Sequence, residues 1–399
     1  MFVRYLNGEL DEEIYMDQAP GYVKRGHEDK VCRLKKCLYG LKQASMVWNK
    51  TLSVYLTGVG FIQSKADMCV YTFKNSDSGS RVILLLYVDD LLVAADDASV
   101  WKPIKAGLMD AFKMKDLGSA RWFLGMCIQQ DDDYICIDQE NYVLRVLDKF
   151  GMTDCKACAT PMTADNLYAV DEDEAELPNV PYRSLVGCLM YAAVCTRPDI
   201  TNAVNQLSRY GNKFTLVHWK AAKRVLRYLK GTTHLKLCYS GRGSGVLSMH
   251  CDADWAGDRI ERRSTTGYVS LLCGGAISWR SKLQTSIALS STEAELYALV
   301  SATQETIWLR RLMKDMFQEQ NSATVISCDN QGCIAIVKHP RRYADRSKHI
   351  GVKKFFVSAA LDADDVILKW VSTSEQVADI MTKAQTRVSF IRNRKWIMY

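Results

Sequence analysis

The chain has 399 residues, 48% of them apolar and 24% charged, with 52 Lys and Arg against 45 Asp and Glu. That is room for two or three globular domains, and the mild positive balance is compatible with a polyanionic partner without pointing to one. No apolar stretch approaches the ~20 residues of a membrane span, and the 14 cysteines contain one close pair, Cys155 and Cys158, which argues against structural zinc.

Residues 37 to 48 read as an amphipathic helix with Leu41 and Trp48 toward the core. Tyr39 offers an aromatic plane there and Gly40 allows close backbone approach. Next, Val82 to Val93 is an apolar run bounded by polar residues, which reads as strand, break and strand with Asp89 and Asp90 at the break. Adjacent strand residues face opposite sides, so both acids serve one site only where the chain turns. Two such carboxylates in an apolar setting repel each other and call for a cation, and hard oxygen donors suit magnesium.

Leu85-Leu86-Tyr87-Val88-Asp89-Asp90 resembles the active-site hairpin of reverse transcriptases, in the form found in copia-type retrotransposon polyproteins. Cys37 to Trp48 matches a hallmark of the same family, with Ser45 where the family has Pro, and the resemblance puts this segment beside the incoming nucleotide and template, where Tyr39, Lys42 or Gln43 can meet a phosphate or a base. The opening, Tyr5 to Met16, resembles the stretch after the family's first catalytic Asp. That Asp falls just upstream of Met1, so the expectation is a polymerase inactive by itself. Ala111 to Gly118 and Trp122 to Met126 match the palm, where the second piece grips the primer.

Alternation over Tyr134 to Ile137 predicts a strand and Asn141 to Lys149 a helix, with the palm ending near Gly151. The segment from Ala159 to Pro181, with Pro161, Pro178 and an acidic run from Asp171 to Glu176, reads as a mobile surface loop. His218 to Lys230 is an amphipathic helix whose Lys220, Lys223, Arg224, Arg227 and Lys230 recur at three- and four-residue steps. Such a face either tracks the phosphates of a duplex or is simply solvated. Residues 241 to 245, Gly-Arg-Gly-Ser-Gly, read as a flexible boundary before a new domain at Val246.

Beyond it, Val246 to Asp252 reads as a strand, and two more lie near Thr266 to Cys273 and Ala276 to Trp279, turned by Gly274-Gly275. Ser290-Ser291-Thr292 before Glu293 is a capping pattern that opens a helix carrying Glu295. A strand from Thr324 to Cys328 leads into Asp329, and a last strand, Val366 to Val371, precedes Asp379 at a helix start. Strands and helices in this order, with one acid per motif at Asp252, Glu295, Asp329 and Asp379, resemble ribonuclease H over residues 246 to 385. Asp254 or Asp258 competes with Asp252, and Glu293 with Glu295. Asp252 is preferred for ending the strand, and Glu295 because Glu-Leu-Tyr-Ala-Leu fits the family pattern. His349 matches a copia-type motif and is expected to be structural.

The expected fold class is α+β to α/β: a partial reverse-transcriptase palm over 1 to 151, a thumb or connection over 152 to 245, a ribonuclease H-like domain with a mixed five-strand sheet over 246 to 385, and a basic tail over 386 to 399. The resemblance implies magnesium-dependent hydrolysis of RNA in RNA:DNA hybrids, with two Mg2+ (or Mn2+) at the four nuclease acids and a metal at Asp89 and Asp90. RNA template and DNA primer are the further partners it implies. The rival expectation is a non-catalytic nucleic-acid-binding remnant. Met1 to Glu9 lacks the apolar centre of a signal peptide, so an intracellular protein, cytoplasmic or nuclear, with reduced thiols is expected.

Overall fold

A computed structural model describes residues 10, 12–38, 40–112, 114–163, 179–339 and 350–399. The chain divides into two compact units, one of residues 1–120 and 311–319 and one of residues 121–310 and 320–399. Tyr39, the acidic run and His349 lie outside the described residues.

In the first unit a two-strand pair, β1 (Tyr15–Met16) and β2 (Cys32–Arg33), precedes α1 (Ala44–Val59). An antiparallel sheet follows, formed in order by β3 (Ile62–Gln63), β4 (Val70–Lys74), β5 (Arg81–Tyr87) and β6 (Asp90–Ala95), and then α2 (Ala98–Ala111). Ala44, Trp48, Leu52 and Leu56 recur every four residues and bury one stripe of α1. Period-two alternation in β5 buries Val82, Leu84 and Leu86 against that stripe, with Tyr71 and Phe112. Leu41 packs against the same core, but the helix expected over 37 to 48 begins only at Ala44, so Leu41 reaches the core from the turn before it.

The second unit opens with β7 (Trp122–Phe123), β8 (Met126–Gln130) and β9 (Tyr134–Asp138), then α3 (Glu140–Lys149), α4 (Tyr182–Cys195), α5 (Thr201–Ser208), α6 (Leu216–Lys230) and β10 (Leu237–Ser240). A mixed sheet then forms from β11 (Ser248–Asp254), β12 (Thr265–Leu272) and β13 (Gly275–Leu283). After α7 (Ser291–Asp315), β14 (Thr324–Cys328), α8 (Gln331–Lys338) and α9 (Gly351–Asp362), β15 (Val366–Trp370) completes the five strands. Their order is β13-β12-β11-β14-β15, with β11, β14 and β15 parallel and the first three antiparallel. Short α10 (Asp379–Thr382) and α11 (Arg387–Ile397) close the chain. The mixed α/β class with a five-strand sheet is the expected one. The turn between β12 and β13 is Cys273-Gly274, both at positive φ, with Gly275 already paired to Leu272.

Four expectations are corrected. Residues 121 to 151 pack in the second unit rather than with residues 1 to 120: β9 pairs antiparallel with β10, a hundred residues on, in the sheet β10-β9-β8-β7. Nor do 241 to 245 separate two bodies. Val143, Leu147, Leu185, Leu226, Val269, Ala276 and Met381 share one core, and the Trp279 indole donates to the Ala193 carbonyl at 2.9 Å. The basic tail is helix α11, whose Phe390 and Ile397 enter that core while Tyr399 exchanges backbone hydrogen bonds with Lys236. Finally, Cys136 and Cys238, directly opposite in the β9–β10 ladder, form a disulfide where free thiols were expected. Each correction has one cause: strand and helix partners far apart in sequence leave no mark in local composition.

The Thr196 to Ile200 stretch is a buried anchor of this core. The Arg197 guanidinium forks onto Asp199 at 2.9 and 2.8 Å and donates to Thr232, while the Tyr228 hydroxyl donates to Asp199.

Candidate active site

The paired acids of the first unit sit at a two-residue hairpin turn, Val88-Asp89, closed by the Tyr87–Asp90 pair. Val88 is at φ 51°, a costly conformation for a β-branched residue, and the Trp48 indole donates to its carbonyl at 2.8 Å. The apolar setting expected around the acids is corrected. Tyr87, Val88 and Asp90 are exposed and Asp89 is half-buried, because the apolar side chains of both strands end before the turn. Lys42 is exposed just before α1, and Gln43 donates to Glu12 at 3.2 Å.

In the second unit, acids gather at the C-terminal ends of β11 and β14, where the sheet changes from antiparallel to parallel order. Side chains leaving strands at such a point project into a crevice. The parallel pairing ends at His250–Ser327, and the Gln376 amide fills the opening by donating to the Cys251 carbonyl at 2.9 Å and the Ser327 carbonyl at 3.4 Å. Asp252 is 2% exposed and accepts from the Thr382 hydroxyl. Gly267 lies directly across from it on β12. A Cβ on Gly267 would stand 2.6 Å from Thr382 Cγ2 and 2.7 Å from Met381 Cβ. The missing side chain is what lets α10 settle on the sheet beside Asp252.

The capping pattern before α7 is realised. The Glu293 amide donates to Ser290 Oγ at 3.2 Å, and the Glu293 carboxylate accepts from the Leu289 amide and the Tyr297 hydroxyl. That commits Glu293 to the helix start and turns Glu295 toward β11, where Oε1 accepts from the Ala253 amide at 3.3 Å. Glu295 Oε2 is buried with no hydrogen-bond partner. Asp329, half-buried at the end of β14, accepts from the Thr373 hydroxyl at 2.8 Å. Asp258 is held elsewhere, accepting from the Ile260 and Glu261 amides and from Arg209.

One oxygen each of Asp252, Glu295 and Asp329 lie within 4.8 Å of one another. Asp379 stands beside this trio through Lys383, whose Nζ is 2.8 Å from Asp379 Oδ1 and 3.6 Å from Asp252 Oδ2. Burial, then the Asp252 charge, pushes the Glu295 carboxyl up to about 10. The same two causes lift Asp379 to about 7. Burial raises Asp329 as well. For Lys383 burial works against the charge, but Asp252 and Asp379 outweigh it and hold its pKa above the ordinary range. Carboxylates at this spacing, one with an orphaned buried oxygen, form a hard-oxygen donor set that fits a divalent cation.

Lys383, Thr382, Thr373 and Gln376 were not anticipated. Lys383 follows Asp379 at i+4, a pairing signal in a helix, but α10 is one turn long and its reach to Asp252 is tertiary. On α6, Lys220, Arg224 and Arg227 line one cavity with Asp254 and Lys383, and Lys223 and Lys230 lie outside it. The α6 stripe buries Ala222, Leu226 and Leu229 as its periodicity implies.

Residues 2–164 match the family described as reverse transcriptase (RNA-dependent DNA polymerase). The chain is 40% identical over 394 residues to the retrovirus-related Pol polyprotein from transposon TNT 1-94 of Nicotiana tabacum, covering 97% of this chain and 29% of that protein. It is 35% identical over 302 residues to a putative transposon Ty5-1 protein of Saccharomyces cerevisiae, covering 75% of this chain and 97% of that one. Among solved structures, an RNase H1 isolated from compost superposes with a TM-score of 0.27 at 13% identity, over 35% of this chain and 93% of that one. The chain thus spans under a third of the tobacco polyprotein's length, and it belongs to the copia-type retrotransposon Pol polyproteins.

Proposed function

We propose that the Asp252, Glu295, Asp329 and Asp379 cluster hydrolyses the RNA strand of RNA:DNA hybrids, with Mg2+, or Mn2+ in its place, held by those four acids. The observation that carries this is the trio of carboxylate oxygens within 4.8 Å, one acid having an unpartnered buried oxygen. When bound, two such ions supply Lewis acidity at the phosphodiester and an activated water at neutral pH. The chain's own part is to position and neutralise. Thr382 and Thr373 orient Asp252 and Asp329, and the Ala253 amide fixes Glu295. Lys383 offsets the negative charge of Asp252 and Asp379 and puts a cation at the edge where a phosphate arrives. Hydrolysis that leaves the 3′ oxygen yields a 5′ phosphate on the product. Preference for RNA then rests on its 2′ hydroxyls.

Asp89 and Asp90 are proposed to contribute one strand's carboxylates to a polymerase metal site, with RNA template and DNA primer as substrates. Two ions about 4 Å apart draw their ligands from more than one strand, so this pair is one part of such a site.

The test is cleavage of an end-labelled RNA:DNA hybrid with Mg2+, beside EDTA and the Asp329→Asn variant. Metal-dependent cutting that the variant abolishes while keeping its fold and hybrid affinity is the expected result. A folded wild-type chain that binds hybrid without cutting it sinks the nuclease reading and favours a binding remnant.

A further inference from the structure

Lys383 joins the acids to the cavity that α6 lines. The cavity has a volume of about 560 Å³, within the range of ligand-holding clefts. Asp254 and Lys383 are both part of its lining, and Asp254 lies two residues beyond Asp252 on β11. One wall is the face of α6 that carries Lys220, Arg224 and Arg227, and the other is the loop after β11 with Arg259 and Arg262. Six cations therefore face one carboxylate, Asp254, which burial makes reluctant to ionise.

The groove is built rather than incidental. The Arg224 guanidinium is tethered by Thr160 at 2.9 Å, and its Nε is buried without a hydrogen-bond partner. The Arg227 Nε donates to the Lys156 carbonyl at 2.7 Å. Gly257 belongs to the same lining: a side chain there would collide with the Asp254 carboxylate. Arginines held in place are suited to phosphates, which they bind in fixed planar geometry.

We propose that this groove seats the sugar-phosphate backbone of the RNA strand where it leaves the carboxylates, so that α6 and the Arg259–Arg262 loop bind the strand being cut. The inference rests on the hydrolysis reading for the identity of that strand. Lys383 marks the passage, touching Asp252 and Asp379 on one side and lining the groove on the other.

The experiment measures affinity of the full chain for an RNA:DNA hybrid by fluorescence anisotropy over a salt series, with Ca2+ in place of Mg2+. The variant Lys220→Glu with Arg262→Glu changes two exposed groove cations. Arg387→Glu with Lys395→Glu makes the same charge change on α11, outside the groove. The groove variant is expected to bind at least about tenfold more weakly and to lose about two from the salt slope, and the α11 variant to stay near wild type. Equal weakening by both pairs, or by neither, overturns the proposal. Hybrids with neutral methylphosphonate linkages in one strand assign the strand. The penalty of the groove variant should vanish with a neutral RNA strand, and its vanishing with a neutral DNA strand overturns the assignment. Cleavage by the wild-type chain with Mg2+, run alongside, reports on the hydrolysis reading separately.

Discussion

Glu295 is expected to make the metal-free protein less stable as pH rises, and divalent metal to suppress that trend. Its carboxyl has an ordinary value of 4.5 and is pushed up to about 10 by burial and by Asp252. In the unfolded chain it ionises near 4.5, whereas in the folded chain it keeps its proton through neutrality. Between those two values the folded state binds more protons, so stability falls as pH rises, by about 1.4 kcal/mol per pH step for one group. From 4.5 to 7 that amounts to roughly 3 kcal/mol, spent on keeping a buried acid where a cation can use it. Replacement by Gln preserves the shape and removes the ionisation, so Glu295→Gln should raise the metal-free melting temperature at pH 7 and flatten its decline between pH 5 and pH 9. With Mg2+ present, the wild type should gain stability with pH and the variant should not. Thermal denaturation across pH, with EDTA or with Mg2+, reads all four curves. A wild-type melting temperature that is flat or rising with pH in EDTA refutes the reasoning, since it would mean that Glu295 is ionised in the folded protein.

Two other substitutions probe the framework. Gly267→Ala puts a methyl against Thr382 and Met381 at 2.6 and 2.7 Å and should cost about 1–3 kcal/mol while weakening Mg2+ binding by displacing α10; calorimetry that finds unchanged metal affinity would refute that placement. Val88→Asn should raise the melting temperature, because Asn accepts positive φ where Val resists it and about 1 kcal/mol of strain is released at a largely exposed side chain; an unchanged or lower value would show the turn is unstrained.

What the sequence by itself determined is whatever depends on near neighbours. The apolar run of Val82 to Val93 and the three- and four-residue steps of Ala222, Leu226 and Leu229 mark strand and helix because each must take a face out of water. The Ser290 to Glu293 cap is a local exchange of hydrogen bonds, so it too is legible, whereas the Ala253 amide that holds Glu295 comes from a strand 42 residues away. Tertiary structure alone decided which pieces share a core. The ladder of β9 with β10, the packing of α11, and the seat that Gly267 leaves for α10 each join segments whose own composition carries no trace of the partner. The same holds for the site. Four acids were visible as four motifs, but Lys383 joins Asp252 to Asp379, and the groove joins α6 to the loop after β11, only because residues remote in sequence meet where β11 and β14 part.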